Sequence, residues 1–472
     1  MIKFSEIADD NMVRKFNASG PYYTSYPTLG EWSDTIQETV YLNALNGFGS
    51  NSKKPKTGLY IHFPYCPKQC YFCLCNVTIT QDRKKINGFL QNILTEIDML
   101  FSYLEKHGIK PIFQNIHLGG GTPSYLTEDE LTLLVNKLKS WMDINSLKEF
   151  SIEFDPRSAT FEKFKLCHEL GFDRMSMGIQ DFNEDIQSAI NREHTFEMVE
   201  GLLTPEVRGL FESINFDILY GLPMQTRESF HETVELIKKL SPDRITMLKY
   251  CHAPQLKKHM KILDNYRMAD EEEKALMFFD ALDNFKTNGW EHISIDHFAK
   301  PSDSLVHAKK DKTMTRSFIG FSSGSCDNML GIGPSSTIRV DDYYFQNTCN
   351  LNTYSEKVMN GIFPITSGYK MTDDDLIRRE VIENFLCQDG INVVEIENRS
   401  LAIFHEGHMC KARGHRYGVG HQAGDGSLFR FVLTCTACHQ VSEVGVGESS
   451  QPATPNICQM INVPIRHIST SG

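Results

Sequence analysis

Four cysteines lie close together in one short stretch of the sequence, and their spacing is the clearest chemical signal in the chain. The stretch reads LYIHFPYCPKQCYFCLCN and contains Cys66, Cys70, Cys73 and Cys75. The first three follow a CxxxCxxC spacing directly after an apolar segment typical of a β-strand. Three thiolates on one loop can hold three corners of a four-iron cluster, whereas complete ligation by the protein normally takes four cysteines. The remaining iron is then open to a cofactor.

The spacing alone is also compatible with a zinc site or a disulfide. Zinc loops usually join two half-sites across ten or more residues, and no second half follows before Cys167. Disulfide frameworks suit short secreted chains, whereas this chain has 472 residues and begins MIKFSEIADDNMVRKF, which does not resemble a signal peptide. The favoured interpretation is therefore an iron–sulfur cluster held by reduced thiolates.

Charge and hydropathy restrict the partners. The formal net charge is −12, whereas nucleic-acid binding needs a basic face that displaces counterions from phosphates. No apolar run is long enough to span a membrane. We therefore expect a soluble, cytoplasmic protein without a nucleic-acid partner or a membrane span.

The segment from about residue 57 to about residue 252 alternates short apolar stretches with amphipathic ones. This is the pattern of repeated βα units around a parallel sheet. Capping residues at Thr127 and Thr226 predict helix starts between strands. Six units are too few for a closed eight-stranded barrel, so the predicted fold is α/β, a partial (β/α)6 barrel. The predicted strands are 59–63, 112–118, 149–154, 174–179, 214–220 and 244–250.

The loops after the strands of a parallel barrel carry the chemistry, and the glycine and polar residues of this chain collect there. The run GGGTP, residues 119–123, follows the second strand, where bare backbone can approach a ligand closely. Glu153 and Asp217 are candidate acceptors for amine or hydroxyl groups of a ligand. For Glu153 the structural alternative is an ion pair with Arg157.

Aromatic and basic residues near these loops have two possible roles each. Phe72, beside the third cysteine, is either a core residue or a stacking surface for adenine. Guanidinium groups pair bidentately with carboxylates, and five arginines are candidates for this role. They are Arg157, Arg174, Arg192, Arg316 and Arg339.

Taken together, these motifs resemble the radical S-adenosylmethionine enzymes, and within them the oxygen-independent coproporphyrinogen III oxidases. The resemblance extends from about Lys15 to about Cys387. The motifs that carry it are FNASGPYYTSYPT, YIHFPYCPKQCYFCLC, GGGTPSYL, SIEFDP, RMSMGIQDFN, INREH, NFDILYGLPMQT, DHFA and the pair Arg378 and Arg379.

The resemblance implies a role for each matching position. Cys66, Cys70 and Cys73 would ligate a [4Fe–4S] cluster whose open iron takes the amino and carboxylate groups of S-adenosylmethionine. Cys75 matches a family cysteine that is not a ligand, and with Tyr60 it is assigned to the catalytic positions. Positions matching contacts of this first cofactor molecule are Tyr60, Gly120, Glu153 and Thr337. The family also implies a second molecule, and its contacts match Phe72, Gly121, Thr122, Gln180, Arg192, Asp217 and Cys251.

The implied reaction begins with one electron from a donor such as flavodoxin or ferredoxin. Cleavage of the cofactor gives a 5′-deoxyadenosyl radical, which removes hydrogen from a propionate side chain; loss of carbon dioxide leaves a vinyl group. Two such events convert coproporphyrinogen III, a tetrapyrrole, to protoporphyrinogen IX in heme biosynthesis, under anaerobic conditions. The resemblance also implies a monomer. A radical methyltransferase or cyclopropanase, or a heme-binding chaperone-like protein, is the alternative on the same core.

Two stretches depart from the family pattern near the expected substrate side. Ile319, Gly324 and Cys326 replace polar residues, and Tyr22 stands where arginine is common. These changes leave the exact substrate open.

The predicted organisation has four parts: an N-terminal extension over the active site (1–56), the partial barrel (57–300), an accessory α/β segment on the substrate side (301–390) and an atypical tail (391–472). The tail is expected to be disordered, or to form a small zinc ribbon from Cys410, His415, Cys435 and Cys438. With such a tail we expect cluster assembly and cofactor cleavage to persist and decarboxylation to be weakened.

Overall fold

A twelve-stranded mixed sheet organises the chain in the computed structural model, which describes residues 26–48, 54–324, 326 and 328–388 and the backbone of 417–419 and 433–435. Three two-stranded sheets accompany it in the described residues. In chain order the strands are β1 (Lys56–Phe63), β2 (Tyr65–Cys66), β3 (Thr78–Ile79), β4 (Ile112–Gly120), β5 (Glu149–Phe154), β6 (Arg174–Gln180), β7 (Ser213–Tyr220), β8 (Arg244–Lys249), β9 (Glu291–Ser294), β10 (His297–Ala299), β11 (Thr315–Ser317), β12 (Gly320–Ser322), β13 (Asn328–Ile332), β14 (Thr337–Val340), β15 (Tyr343–Asn347), β16 (Ile365–Lys370), β17 (Tyr417–Val419) and β18 (Leu433–Cys435).

Seven strands of the large sheet are parallel neighbours, in the order β13-β1-β4-β5-β6-β7-β8. Six of them are the predicted strands, so the α/β fold with its partial-barrel sheet is confirmed. The seventh, β13, comes from the segment after residue 300 and places Gly331 opposite Tyr60. Antiparallel strands β14, β15 and β16 extend this side, and β10 and β9 extend the other.

Helices connect the parallel strands and cover the sheet. The predicted caps are present: the Thr127 and Thr226 hydroxyls each accept the backbone N–H three residues later. The helices are α1 (Glu38–Gly47), α2 (Arg83–Lys106), α3 (Glu128–Lys139), α4 (Phe161–Leu170), α5 (Glu184–Ala189), α6 (Phe196–Leu202), α7 (Pro205–Leu210), α8 (Arg227–Leu240), α9 (Glu271–Thr287), α10 (Ser304–Lys310), α11 (Leu351–Met359) and α12 (Asp373–Cys387). Short 3-10 turns are Leu29–Glu31, Pro123–Tyr125, Ile144–Ser146, Pro156–Ser158 and Lys258–Asn265.

The main hydrophobic core lies between the parallel strands and the helices that follow them. Strand β1 buries residues on both faces, as expected of a strand inside a parallel sheet. Helix α2 packs its apolar stripe, including Ile86, Leu90, Ile93 and Ile97, into the same core. Because this core fixes the strands in register, it holds their carboxyl ends, and the loops that follow them, at one edge of the sheet.

A buried carboxylate ties helix α2 to the added strands. Glu96 accepts hydrogen bonds from the Gly333 N–H at 2.7 Å, the Asn347 amide at 2.7 Å and the Tyr354 hydroxyl at 2.5 Å. Burial raises the pKa of Glu96 to about 7, although these three donors oppose the rise. The folded protein therefore keeps a proton on this group at pH values where the unfolded chain has released it.

We predict that Glu96→Gln removes a pH dependence of stability. The pKa of Glu96 is higher in the folded protein than in the unfolded chain, so its protonated form favours folding. This contribution to the free energy of unfolding is complete below about pH 4.5 and falls by roughly 3 kcal/mol as the pH rises to about 7. Glutamine does not ionise, so the variant lacks this slope. Urea unfolding at pH 5, 6, 7 and 8 measures it, and identical slopes for the two proteins would contradict the prediction.

The two ends of the chain are described in part. Residues from Tyr26 to Glu31 line the cleft described below, on the side where the N-terminal extension was predicted. Tyr22 lies outside the described residues, as do Cys410, His415 and Cys438 of the predicted zinc ribbon; of its ligands only the Cys435 backbone is described, at the end of β18. Among the described residues, no helix has the length and apolar character needed to cross a membrane.

Candidate functional site

The loops at the carboxyl ends of the parallel strands enclose one large cleft of about 1420 Å³. It brings together most of the residues that the sequence singled out. Of the predicted cluster and cofactor residues, Tyr60 on β1 and Thr337 on β14 are not among those that line it. The predicted residues that line the cleft are Cys66, Cys70, Phe72, Cys73, Cys75, Gly120, Gly121, Thr122, Glu153, Gln180, Arg192, Asp217 and Cys251.

The cysteine loop begins as the chain leaves β1. Cys66 ends the short strand β2, and the Cys73 N–H donates to the Cys70 carbonyl at 3.3 Å, which closes a tight turn between the second and third thiols. The Thr122 hydroxyl lies 3.2 Å from the Cys66 sulfur. Burial raises the pKa of the Cys66 thiol to about 12. A bound metal must therefore displace its proton, as metals do from coordinating thiols.

Two arginines face the Cys70 sulfur. Arg157 and Arg192 each place a guanidinium nitrogen 3.5 Å from it, and both pair with Asp155, at 2.6 and 3.2 Å. Burial of Asp155 opposes ionisation, but the charges of Arg192 and Arg157 outweigh it and lower its pKa to about 2. Two cations against one carboxylate leave positive charge at the loop, which stabilises thiolates. The ion pair with Arg157 that was the structural alternative for Glu153 is not formed, because Arg157 binds Asp155.

The end of the cysteine loop is held by a segment that follows β8. The His259 ring donates to the Cys73 carbonyl at 2.9 Å, and the Lys257 ammonium group donates to the Cys75 carbonyl at 2.9 Å. A hydrogen bond with Cys75 lowers the pKa of Cys73 to about 7, and the same bond raises the pKa of Cys75 well above its ordinary value. Of these two thiols, Cys73 is the one favoured as a thiolate.

The glycine loop after β4 packs directly on the cysteine loop. The Gly121 N–H donates to the Phe63 carbonyl at 2.7 Å and the Thr122 N–H to the Tyr65 carbonyl at 3.0 Å. A Cβ on Gly121 would lie 2.8 Å from the Tyr65 oxygen, a backbone atom that cannot move away independently. Gly120 has φ of +113°, a backbone conformation that favours glycine. The close approach of the two loops thus depends on these residues.

We predict that Gly121→Ala separates the two loops. The added methyl group meets backbone, so we expect a loss of about 1–3 kcal/mol in stability and a lower iron content after reconstitution. Gly201→Ala is the matched control, because nothing lies within 4 Å of its added Cβ. Thermal unfolding and iron analysis of both variants test this. Equal iron content and equal melting temperatures would contradict it.

Glu153 is the penultimate residue of β5, and its side chain reaches back to the glycine loop. Its two oxygens accept the Gly120 N–H at 3.2 Å and the His117 Nε2–H at 3.0 Å. The His117 ring stacks on Tyr60, with centroids 5.9 Å apart. Glu153 is one-third exposed toward the cleft, so its remaining lone pairs can accept hydrogen bonds from a ligand.

Two histidines of this cleft wall were not predicted. His62 donates from Nε2 to the Asn76 carbonyl at 2.9 Å, and burial lowers its pKa, so its neutral Nδ1 accepts the Tyr60 hydroxyl at 3.0 Å. His117 holds Glu153. His62 and His117 lie in the strand segments YIHF and NIHLGG, each as a polar residue among apolar ones. A polar residue inside an apolar strand segment is the signal that could have identified them.

Asp217 lies in β7 farther into the cleft. It accepts hydrogen bonds from the Ser176 hydroxyl at 2.7 Å and the Asn215 amide at 2.8 Å. Burial raises the pKa of Asp217 above its ordinary value. Gln180 ends the neighbouring strand β6 with φ of 71°, after a register shift in the β6–β7 pairing. The two residues present polar groups to the same cleft on adjacent strands.

Phe72 and Cys251 both line the cleft. Both lie against a small hydrophobic cluster that includes Tyr250, Met260 and Leu263. Phe72 is therefore partly a core residue and partly a cleft-lining surface, so both interpretations from the sequence apply to it.

Further buried arginines lie away from the cysteine loop; Arg174 and Arg244 are the first residues of β6 and β8. Arg174 and Arg244 flank Glu149, with nitrogen–oxygen distances of 3.4 and 3.3 Å, and Arg316 lies 3.6 Å from Asp296. All three arginines line the cleft, as Arg378 of α12 does. Of the predicted candidates only Arg339 lies away from it. It pairs with Glu383.

Of the three unusual residues near the substrate side, Gly324 and Cys326 contact neighbouring residues of β4, whereas Ile319 does not share these contacts. Ile319 lines the cleft. Gly324 is next to the Gln114 side chain, and the Cys326 thiol donates to the Asn115 amide oxygen at 3.5 Å. Only Ile319 therefore alters the cleft surface directly.

The cysteine loop fits a cluster ligand set. Its three thiols open into the same cleft, a hydroxyl and two guanidinium groups face their sulfurs, and glycine backbone lies alongside. Within the described residues, no three Cys, His, Asp or Glu side chains converge on a single ion. A four-iron cluster places each thiolate on a different iron, so its ligands need not converge on one point.

Comparison with known proteins agrees with this geometry. A family model described as the radical SAM superfamily matches residues 60–237. The oxygen-independent coproporphyrinogen III oxidase of Pseudomonas aeruginosa is 33% identical over 392 residues, which cover 82% of this chain and 84% of that protein. The Escherichia coli protein of the same name is 33% identical, covering 82% and 83%. The solved structure of coproporphyrinogen III oxidase from Escherichia coli, described as a radical SAM enzyme, superposes with a TM-score of 0.75 at 32% identity, covering 82% of this chain and 87% of that one.

Proposed function

Because this chain belongs to the family of oxygen-independent coproporphyrinogen III oxidases within the radical SAM superfamily, we propose that it oxidatively decarboxylates two propionate side chains of coproporphyrinogen III to vinyl groups. The product is protoporphyrinogen IX. The observation that carries this proposal is one cleft in which the three-cysteine loop, the glycine loop, two carboxylates and several buried arginines meet.

The protein's share of the chemistry is to hold its cofactors in place. A [4Fe–4S] cluster and S-adenosylmethionine, when bound, supply a 5′-deoxyadenosyl radical that removes hydrogen from the substrate. Cys66, Cys70 and Cys73 would hold the cluster. Arg157 and Arg192 offset the negative charge of the thiolates, and their pairs with Asp155 keep both guanidinium groups beside Cys70.

We assign the first cofactor molecule to the wall formed by Gly120 and Glu153. Glu153 accepts hydrogen bonds on the cleft side, and its position is fixed by His117 and the Gly120 N–H. Tyr60 supports His117 from behind through ring stacking and acts as a positioning residue. Thr337 on β14 is a further position that we propose for this molecule from the family resemblance.

We assign a second cofactor molecule to the part of the cleft beside Phe72, Gln180 and Asp217. Phe72 offers an aromatic face there, and Asp217 and Gln180 present polar groups from adjacent strands. Gly121, Thr122, Arg192 and Cys251 line the same cleft. This assignment is supported by their shared cavity and by the family resemblance of these positions.

The substrate carries four carboxylates, and the cleft offers cations to match. Arg174, Arg244, Arg316 and Arg378 line it, and each lies beside a carboxylate of the protein with which a substrate carboxylate would share the guanidinium. Guanidinium groups bind carboxylates in fixed orientation. We therefore place the tetrapyrrole between the radical-generating wall and these arginines, with residues 26–31 covering the opening.

Turnover needs single electrons from outside. We propose a small protein carrier such as flavodoxin or ferredoxin as the donor, and a monomeric enzyme. A site of three reduced thiols requires a reducing compartment, which supports a cytoplasmic location.

Product analysis tests the proposed function. Anaerobic, reconstituted protein is incubated with coproporphyrinogen III, S-adenosylmethionine and dithionite, and the products are identified by mass spectrometry. We expect loss of two carboxyl groups, released carbon dioxide and 5′-deoxyadenosine. A product that gained a methyl group would assign the chain to the methyltransferase alternative. Stable heme binding without cofactor cleavage would assign it to the chaperone-like alternative.

A further inference from the structure

A basic surface lies directly over the cysteine loop. We define the basic segment as residues 251–267, CHAPQLKKHMKILDNYR, which contains three lysines and one arginine against a single aspartate. The arginine, Arg267, pairs with Glu273 outside the segment, so the positive excess comes from the lysines. The whole chain carries a formal net charge of −12. A local excess of positive charge on an acidic protein is therefore a distinct feature of this surface.

The basic segment is in direct contact with the loop that would hold the cluster. Lys257 and His259 hydrogen-bond to the carbonyls of Cys75 and Cys73, each at 2.9 Å. Met260 and Leu263 pack in the hydrophobic cluster that also contacts Phe72. The other face of the basic segment is exposed to solvent, so the segment separates the cysteine loop from solvent.

The outer face has the composition of a transient protein interface. Lys258 and Lys261 are exposed and have no ion-pair partner in the part of the chain that the structure describes. Between and beside them Leu256, Ile262 and Tyr266 are 45%, 43% and 38% exposed. An apolar centre with charged surroundings is typical of protein–protein contacts.

We propose that the outer face of the basic segment docks an acidic one-electron carrier protein, which delivers its electron across Lys257 and His259 to the cysteine loop. The inference rests on the proposed function, because it presumes a cluster that needs reduction. One electron leaves the carrier and enters the cluster, with no other group transferred. Complementary charge mainly raises the association rate and is screened by salt.

The test compares two reductants on the same variants. The variant is Lys258→Glu with Lys261→Glu, and the matched control is Lys106→Glu with Lys139→Glu, exposed lysines at the far ends of α2 and α3. Formation of 5′-deoxyadenosine is followed at 20 and 200 mM salt. The electrons come either from dithionite or from an acidic flavodoxin reduced by its NADPH-dependent reductase.

We expect the docking variant to lose about tenfold or more in flavodoxin-driven rate at low salt and to keep its dithionite-driven rate. Wild type and the control should lose flavodoxin-driven rate as salt rises, and the docking variant should not. Equal flavodoxin-driven rates for all three proteins would overturn the inference. An equal fall with both reductants would also overturn it, because the lysines would then serve substrate binding or folding. Absence of dithionite-driven cleavage in wild type would instead overturn the proposed function.

Discussion

Replacing Cys70 by alanine is expected to abolish cluster assembly and with it all activity. Cys70 is the buried member of the three ligands, and Arg157 and Arg192 both face its sulfur. Two thiolates provide too few ligands for a four-iron cluster, and the two guanidinium groups lose the thiolate beside them while keeping Asp155. Iron and sulfide should fall from about four per chain to near zero, and 5′-deoxyadenosine should fall below detection.

Two other cysteines provide matched controls. Cys75→Ala should keep its iron and sulfide, because Cys75 is assigned outside the ligand set. Cys167→Ala removes a buried thiol from α4 and should keep both iron and activity, with a modest stability loss of about 1–2 kcal/mol. Loss of iron from Cys75→Ala together with full iron in Cys70→Ala would show that the ligand set is assigned wrongly.

Glu153→Gln is expected to have the second largest effect. The substitution keeps the shape of the side chain but replaces one oxygen by an amide NH2 group, which cannot accept a hydrogen bond. The affinity for S-adenosylmethionine should fall about ten- to hundredfold, since hydrogen bonds to charged groups contribute roughly 1.5–3 kcal/mol each. Iron content should stay unchanged, because Glu153 does not contact the cysteines.

Isothermal titration of reconstituted protein with S-adenosylmethionine measures this effect under anaerobic conditions. Glu169→Gln, on the exposed face of α4, is the control and should bind as wild type does. Unchanged affinity in Glu153→Gln would remove this carboxylate from the cofactor site and leave it the structural role of holding the Gly120 loop.

Local sequence patterns predicted the parallel strands well. β5, for example, begins and ends at the predicted residues, 149–154, because short apolar runs between capped helices define both ends. The strand β13 was missed because NMLGI is short, and its partner β1 lies about 270 residues earlier in the chain. No local pattern reports a pairing at that separation.

Side-chain partners were harder to predict than positions. SIEFDPR contains two carboxylates within reach of Arg157, and the turn at Pro156 directs the guanidinium to Asp155, not to Glu153. Tyr60 and Thr337 were predicted as cofactor contacts from family resemblance, and neither is among the residues that line the cleft, so this remains a prediction. Which face a residue presents in a sheet buried on both sides cannot be obtained from alternation.

The most direct test of the account is Mössbauer spectroscopy on ⁵⁷Fe-reconstituted, anaerobic protein with and without S-adenosylmethionine. Three cysteine ligands leave one iron of the cluster without a side chain. We expect the isomer shift of one iron in four to change when the cofactor is added, and the isomer shifts of the other three to stay the same. Four equivalent irons whose isomer shifts do not change when the cofactor is added would contradict the proposed ligand set.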